Sequence, residues 1–267
     1  MPFTPSHAVV ALPFVRTPLV PAAIAIGAMT PDLPLFVRGI GVGYGFTHEN
    51  ANVAWTAAIA LALFFVWRVL LRPAVAELSP SWLARRIPAD WSTGAWQAAQ
   101  GAAGVGRRGS YPVLLAISLL LGVISHIVWD AFTHEGRWGL DLVPALTEPW
   151  GPLLGYKWLQ YGSSVLGVLL LAVFGVAWLV RRHPASLTRL LPGVVRWTWW
   201  LSLPVILVIA WLIGLAAYGP LTAEWTPQHL AYRVLPPACA LWGALTFLLC
   251  GVVGWRRGRD ARSVRRD

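Results

Sequence analysis

Charged side chains are scarce in this sequence, and acidic ones are the scarcest. Only 12% of the 267 residues are charged, with 11 acidic against 21 basic residues, whereas 57% are hydrophobic. Soluble domains carry roughly 25% charged residues, so this chain has too little charge to cover a water-facing surface. The composition therefore argues against a cytosolic globular enzyme and against a disordered or fibrous protein.

Cysteine is also rare. Cys239 and Cys250 are the only two, and they lie in one apolar segment. A helix over this segment separates them by about 16 Å, which is too far for a disulfide bond. We therefore expect no disulfide partner for either thiol.

Long hydrophobic runs, by contrast, are plentiful. A helix needs about 20 mostly apolar residues to cross a bilayer. The sequence predicts five such spans, near Ala51–Leu71, Pro112–Thr133, Gly162–Val180, Trp199–Tyr218 and Leu230–Trp255.

A sixth apolar segment, Leu19–Val37, is interrupted by the sequence Pro31-Asp32-Leu33-Pro34. Two interpretations stay open at this point. The segment crosses the membrane completely, or Leu19–Thr30 is a re-entrant half-helix that turns at the two prolines. The predicted fold is thus an all-α polytopic membrane protein with five or six transmembrane helices. We expect one helical membrane domain over residues 1–267, in which residues 1–140 carry the candidate site and residues 141–267 add further spans and a basic tail.

The distribution of arginine predicts the orientation of these spans. Sixteen arginines fall in the loop 68–111, the loop 181–196 and the tail 256–267. The opposite side holds only four basic residues, Arg38, Arg137, Lys157 and Arg233. Cytoplasmic loops carry the excess of basic residues in membrane proteins. We therefore expect a multi-pass plasma-membrane protein with a cytoplasmic C-terminus, whose net charge of +10 reflects topology and not nucleic-acid binding.

Ionisable residues stand out in the second predicted span. His126, Asp130 and His134 follow one another at a spacing of four, so they share one face of a helix. Such residues cost a few kcal/mol each inside a bilayer, which makes them functional candidates. Imidazole and carboxylate groups on one face can bind a divalent metal. The sequence therefore predicts a metal site here.

The expected depth in the bilayer places this helix face at the same level as residues from other parts of the chain. His126 lies about 21 Å along its helix from Pro112, in the outer part of the membrane. Asp32 and His48 can reach a similar level, and His7 joins them if the N-terminus lies outside or dips back into the membrane. Other roles stay open, because a single buried histidine can bond a neighbouring helix, Asp32 can cap a helix, and Asp130 can pair with His126 without a metal.

Several short blocks of the sequence resemble known families. These blocks are Met1-Pro2-Phe3-Thr4-Pro5-Ser6-His7, Gly27-Ala28-Met29-Thr30-Pro31-Asp32-Leu33-Pro34, Gly45-Phe46-Thr47-His48-Glu49 and Leu121–Gly139. They resemble an uncharacterised bacterial family of integral membrane proteins of unknown function. They are more distantly similar to the inner-membrane metal-dependent hydrolases and, in motif order, to the zinc-dependent phospholipase C and P1 nuclease superfamily.

This resemblance implies a set of metal ligands and a zinc cofactor. The implied ligands are His7, Asp32, His48, His126, Asp130 and, as a sixth, His134. Six ligands suit one or two zinc ions with an open coordination position. The chain departs from the hydrolases in having Leu33-Pro34-Leu35 where they carry a further acid and histidine. It also lacks the later His-x3-Glu pair of the phospholipases, so a three-metal centre is not expected.

The resemblance further implies a metal-dependent hydrolase of phosphoester bonds. Glu49 and Glu135 each directly follow an implied ligand. Either residue is a candidate for the general base, and the alternative is that it is an ordinary carboxylate at a helix end. Arg137 and Lys157 lie in the outer segment Glu135–Tyr161. They are candidates for binding a phosphate of the substrate, and the alternative is that they anchor the chain at the lipid headgroups. The depth of the site favours a lipid or lipid-linked substrate, and the segment itself is expected to include a short interfacial helix.

Two other functions compete with this hypothesis. A transporter or proton relay uses similar buried acids and imidazoles, but it needs them through the full thickness of the membrane. A structural or assembly protein needs the polar cluster only to fix the packing of its helices. Bound metal in the purified protein separates the hydrolase from both.

Overall fold

A computed structural model describes residues 3–37 and 41–263, with side chains through Arg259. Several residues used above lie outside the described residues, namely Met1, Pro2, Arg38, Arg265 and Arg266, and so does the side chain of Arg262.

The fold is all-α, with a single two-stranded hairpin among the described residues. Five helical segments are long and apolar enough to cross a membrane, which confirms the five predicted spans. They are Asn50–Leu78, Tyr111–Thr133, Gly155–Val180, Gly193–Tyr218 and Pro227–Arg259.

The chain divides into two compact units, Met1–Val66 with Ala103–Arg182, and Trp67–Ala102 with His183–Asp267. All residues of the predicted metal site belong to the first unit. Its elements are the 3-10 helix Thr4–Phe14, α1 (Pro21–Met29), the 3-10 turn Thr30–Asp32, α2 (Leu33–Phe36), α3 (Tyr44–Thr47), the 3-10 turn Asn50–Asn52, α4 (Val53–Phe65), α8 (Tyr111–Thr133), α9 (Trp138–Leu142), the 3-10 turn Pro144–Thr147, β1 (Pro149–Trp150), β2 (Leu153–Leu154) and α10 (Gly155–Val180).

A π-helical stretch, Val66–Leu71, continues α4 into the second unit. That unit contains α5 (Arg72–Leu78), α6 (Ser81–Ala84), the 3-10 turn Ala89–Trp91, α7 (Ala95–Ala103), α11 (Gly193–Tyr218) and α12 (Pro227–Ser263). Its core includes Ala74, Leu78, Leu191, Cys250 and Val253.

The segment Leu19–Val37 does not form one membrane-crossing helix. Helix α1 has nine residues, about 13 Å at 1.5 Å per residue, whereas the hydrocarbon core is about 30 Å thick. Pro31 follows its end and provides no backbone donor to extend it. The structure therefore has the short helix α1 followed by the 3-10 turn Thr30–Asp32 and the four-residue α2 in place of one regular span, and the re-entrant path stays a prediction.

Two glycines bring α1 unusually close to α8. A Cβ atom on Gly27 would lie 2.5 Å from the carbonyl oxygen of Leu119, and one on Gly122 would lie 2.2 Å from that of Ile24. Neither distance allows a side chain, so the two backbones touch directly, as they do at small-residue contacts between membrane helices. This contact sets the distance between Pro31-Asp32 and the C-terminal part of α8.

The segment Glu135–Tyr161 contains a short helix as expected from the sequence, α9, followed by the hairpin of β1 and β2. Helix α10 then begins at Gly155, earlier than the predicted start at Gly162. Amphipathic residues such as Tyr156 and Lys157 therefore belong to the first turn of the span and not to the loop.

Candidate metal centre

Four ionisable side chains from separate parts of the first unit meet in its interior. They are Asp32 after α1, His48 after α3, and His126 and Asp130 on α8, and all four are buried. Each offers one ligand atom, and these atoms lie within 4.8 Å of one another. This cluster, named here the acid–imidazole cluster, could hold a metal ion.

Backbone carbonyls fix which nitrogen of each histidine carries the proton. Nδ1 of His126 lies 2.6 Å from the carbonyl oxygen of Ala28, and Nδ1 of His48 lies 3.0 Å from that of Tyr44. A carbonyl oxygen only accepts, so Nδ1 is the donor in both neutral rings and Nε2 keeps its lone pair. The two Nε2 atoms face each other at 3.2 Å.

The carboxylates of Asp32 and Asp130 bring oxygen atoms close to these two Nε2 atoms. Thr4 donates its hydroxyl proton to Oδ2 of Asp32 over 2.6 Å, which leaves Oδ1 directed at the imidazoles. Oδ2 of Asp130 lies 3.4 Å from Nε2 of His126 and 3.5 Å from Nε2 of His48. Four acceptor atoms thus converge in a buried space, an arrangement that needs positive charge, from a proton or a cation, between them.

The spacing of the acceptors suits a tetrahedral ion. Zinc binds nitrogen and oxygen ligands at about 2.0–2.1 Å, which separates the ligand atoms of a regular tetrahedron by roughly 3.3 Å. The measured separations are 3.2 Å between the two Nε2 atoms, 3.4 and 3.5 Å from them to Asp130, and 3.7 Å from each of them to Oδ1 of Asp32. These five separations are close to that value, so the donor set could hold a zinc-sized cation.

His7 lies against the cluster on its other side. Its ring stacks on His126 with 4.0 Å between centroids, and its Nε2 atom is 3.7 Å from Oδ1 of Asp130. Both of these atoms are buried and have no hydrogen-bond partner among the described residues. Burial lowers the pKa of His7 to about 3, so the ring is neutral, which is the form that binds metals.

His134 approaches Asp130 from the end of α8. The side-chain amide of Gln160 points its nitrogen at Nε2 of His134 over 3.1 Å, while its oxygen accepts from Lys157 over 3.4 Å. Since that nitrogen only donates, Nε2 of His134 accepts and Nδ1 carries the proton. Nδ1 bonds the backbone carbonyl oxygen of Asp130 over 3.3 Å and lies 3.5 Å from Oδ2 of the same residue, so His134 lies beside this carboxylate. The ligand roles predicted for His7 and His134 stay predictions.

A cavity of about 310 Å³ opens onto the cluster. Its wall includes His48 and Asp130, together with Glu49, Asn50 and Arg137. Arg137 lies over the ring of Tyr44, 6.0 Å from its centroid.

The other two predicted residues do not line this wall. Glu135 accepts from the hydroxyl of Tyr156 over 3.4 Å, and Lys157 contacts Gln160. Two of the four candidates for catalysis and substrate binding, Glu49 and Arg137, therefore face the cluster.

Sequence reasoning missed several residues that position the cluster. Thr4 and Gln160 are buried polar partners of the acids and imidazoles, and the carbonyls of Ala28 and Tyr44 orient the two central rings. Gln160 lies in an apolar run, a signal that could have identified it. Thr4 and the carbonyls gave no such signal, because their role depends on contacts between distant segments.

The chain belongs to the family described as a domain of unknown function (DUF4184), whose model matches residues 1–255. This match confirms that the chain belongs to an uncharacterised family of unknown function, as the sequence blocks indicated. No curated protein and no solved structure matches the chain.

Proposed function

We propose that this protein is a membrane-embedded metal-dependent hydrolase that cleaves phosphoester bonds in lipid or lipid-linked substrates near the outer face of the bilayer. The convergence of four buried acceptor atoms in the acid–imidazole cluster carries this proposal. Asp32, His48, His126 and Asp130 would hold a zinc ion, since a mixed imidazole and carboxylate set suits that metal.

A divalent cation at such a site supplies Lewis-acid activation of water and stabilises negative charge on a phosphoryl oxygen. The side chains of the adjoining cavity complete the chemistry. Arg137 binds a phosphate oxygen with its planar guanidinium, and the carboxylate of Glu49 accepts a proton from the attacking water. The hydroxyl of Thr4 holds Asp32 in place.

Two different cavities on the two sides of the cluster support a lipid substrate. The first cavity has the charged side chains of Glu49 and Arg137 in its wall. A second one, of about 360 Å³, lies among the 3-10 helix Thr4–Phe14, α8 and α10, and its lining, which includes His7, Val10 and Leu170, contains no Asp, Glu, Lys or Arg. A lipid phosphoester has a polar head on one side of the reacting bond and a hydrocarbon chain on the other. The proposal places that bond at the cluster, whose residues His48 and Asp130 line the first cavity.

The charges at the ends of α8 and α10 support the outer location. Arg107 and Arg108 precede α8, and Arg181 and Arg182 follow α10. Asp130 lies 19 residues beyond the start of α8, roughly 28 Å away. By the positive-inside rule the arginines mark the cytoplasmic end, so the cluster belongs to the opposite end.

The distribution of buried charge argues against a proton relay. In the described part of the first unit, the buried acids and histidines are those of the cluster and His7. The remaining length of α8 buries Ser118, which bonds the backbone of α8 and Val20, but no acid or histidine. A relay across the membrane needs such groups throughout.

The proposal is tested by replacing Asp130 with asparagine, which keeps the shape of the side chain and removes its charge. We expect the purified full-length protein to hold zinc and to release products from vesicles of phosphatidylglycerol and phosphatidic acid. Asp130→Asn should weaken zinc binding by at least about tenfold and abolish product release. Metal analysis and mass spectrometry of the lipids measure the two effects.

Asp141→Asn is the matched control, because Asp141 is an exposed acid of α9 outside the cluster. It should keep both zinc and activity. Wild-type zinc content in Asp130→Asn would refute the metal site. Intact lipids after incubation with the zinc-loaded wild type would refute the hydrolase.

A further inference from the structure

A buried acid also lies in the other unit, and its carboxylate accepts hydrogen bonds from two backbone N–H groups. Glu77, at the end of α5, is 1% exposed. Its Oε2 atom accepts from the backbone N–H of Leu190 over 3.1 Å, and its Oε1 atom accepts from that of Leu191 over 3.0 Å. The residue thereby fixes the segment that leads into α11.

Two arginines pair with this single carboxylate, and a third bonds the backbone beside it. Arg257 lies 3.5 Å and Arg196 4.0 Å from its oxygens, and Arg189 donates to the carbonyl oxygens of Glu77 and Ser79 over 2.5 and 2.8 Å. No other acid pairs with these arginines in the described part of the chain. The cluster therefore carries more positive than negative charge. Partial burial, and to a lesser extent the neighbouring Arg196, lower the pKa of Arg189.

Two of these guanidiniums form the wall of a cavity. The cavity measures about 380 Å³ and is lined by Arg189 and Arg196, by the indoles of Trp197 and Trp200, and by residues 78–81. Small-molecule sites measure about 300–1,000 Å³. Trp200 is held in place because its indole N–H donates to the carbonyl oxygen of Leu78 over 2.9 Å, and Trp197 is 69% exposed. We call this the arginine–tryptophan pocket.

We propose that the arginine–tryptophan pocket binds the phosphodiester headgroup of an anionic phospholipid in the cytoplasmic leaflet. Guanidinium groups match phosphate oxygens in shape and charge, and the surplus positive charge favours a lipid with net negative charge over a zwitterionic one. Tryptophan and arginine together are typical of the headgroup level of a bilayer. Carbonyl contacts hold Arg189 in its bound position, so binding costs little side-chain order. This site is independent of the proposed hydrolase centre.

The test adds a negative charge to the rim of the pocket. Ser81 lines the pocket and is exposed, so Ser81→Asp should fold normally while repelling a phosphate. Ser186→Asp makes the same charge change at an exposed position of the loop before α11 that does not line the pocket. The full-length proteins are titrated in detergent with phosphatidylglycerol or phosphatidylcholine, and native mass spectrometry counts the retained lipids.

We expect the wild type and Ser186→Asp to retain phosphatidylglycerol in preference to phosphatidylcholine. Ser81→Asp should bind phosphatidylglycerol about fivefold more weakly, as expected for one charge near the membrane surface. Equal affinity in the two variants would overturn the proposal, as would equal retention of the two lipids. Displacement of phosphatidylglycerol by millimolar inorganic phosphate would overturn it too, because the pocket would then be a site for free anions.

Discussion

The chemistry of the acid–imidazole cluster is decided by single hydrogen bonds. Ala28 lies in the last turn of α1, where carbonyl oxygens have no partner within the helix, so its oxygen is available to His126. This contact holds the proton on Nδ1 and leaves Nε2 as an acceptor. Outer hydrogen bonds of this kind orient metal ligands and set their basicity.

Substitution of Thr4 tests whether such a hydrogen bond also orients the carboxylate of Asp32. Thr4→Val keeps the shape of the side chain but removes the donor to Oδ2 of Asp32. We expect zinc affinity to fall about tenfold or more while the fold is retained, as measured by competition with a chromophoric chelator. Thr17→Val is the control, since Thr17 is exposed and bonds only the backbone of its own turn. Equal zinc affinity in the two variants would contradict an orienting role for Thr4.

At the scale of elements, the close packing of α1 against α8 brings the cluster together. Asp32 follows the end of α1, and His126 lies one turn beyond Gly122 on α8. The Gly27 and Gly122 contacts therefore determine whether the Asp32 carboxylate and the His126 ring can share one ion. Glycine lowers helix stability by roughly 1 kcal/mol relative to alanine, and this direct backbone contact gives a physical reason for its presence in both helices.

Gly122→Ala should separate the two helices. Its Cβ atom would lie 2.2 Å from a backbone oxygen, so α1 must move away, at a cost of about 1–3 kcal/mol for an overpacked contact. We expect a lower melting temperature together with loss of zinc. Gly175→Ala, on α10, meets no atom within 4 Å and should preserve both properties. Normal zinc binding by Gly122→Ala would show that the contact does not position the site.

At the scale of the whole molecule, the asymmetry of arginine predicts which side of the membrane each loop occupies. Asn50 lines the cavity beside the cluster, and Thr188 lies in an arginine-rich loop. In a variant without Cys239 and Cys250, a membrane-impermeant maleimide should label Asn50→Cys in intact cells. It should label Thr188→Cys only after the membrane is permeabilised. Labelling of Thr188→Cys in intact cells, with none of Asn50→Cys, would reverse the topology and place the cluster at the inner face.

The sequence predicted the features that depend on neighbours along the chain. Five apolar runs gave five spans, because the length and hydropathy of a segment decide whether it can cross a bilayer. The spacing of four between His126 and Asp130 placed both on one face of α8, since helical periodicity is a local property.

Tertiary structure decided the rest. Whether Leu19–Val37 crosses the membrane depends on how α1 packs on α8, and the orientation of His126 depends on a carbonyl 98 residues away. The contacts of His134 with Gln160, and of Thr4 with Asp32, also join distant segments. Composition and periodicity carry no information on such pairs, because they form only when the helices have packed. The sequence thus specifies the residue types of the cluster, whereas the fold determines its geometry.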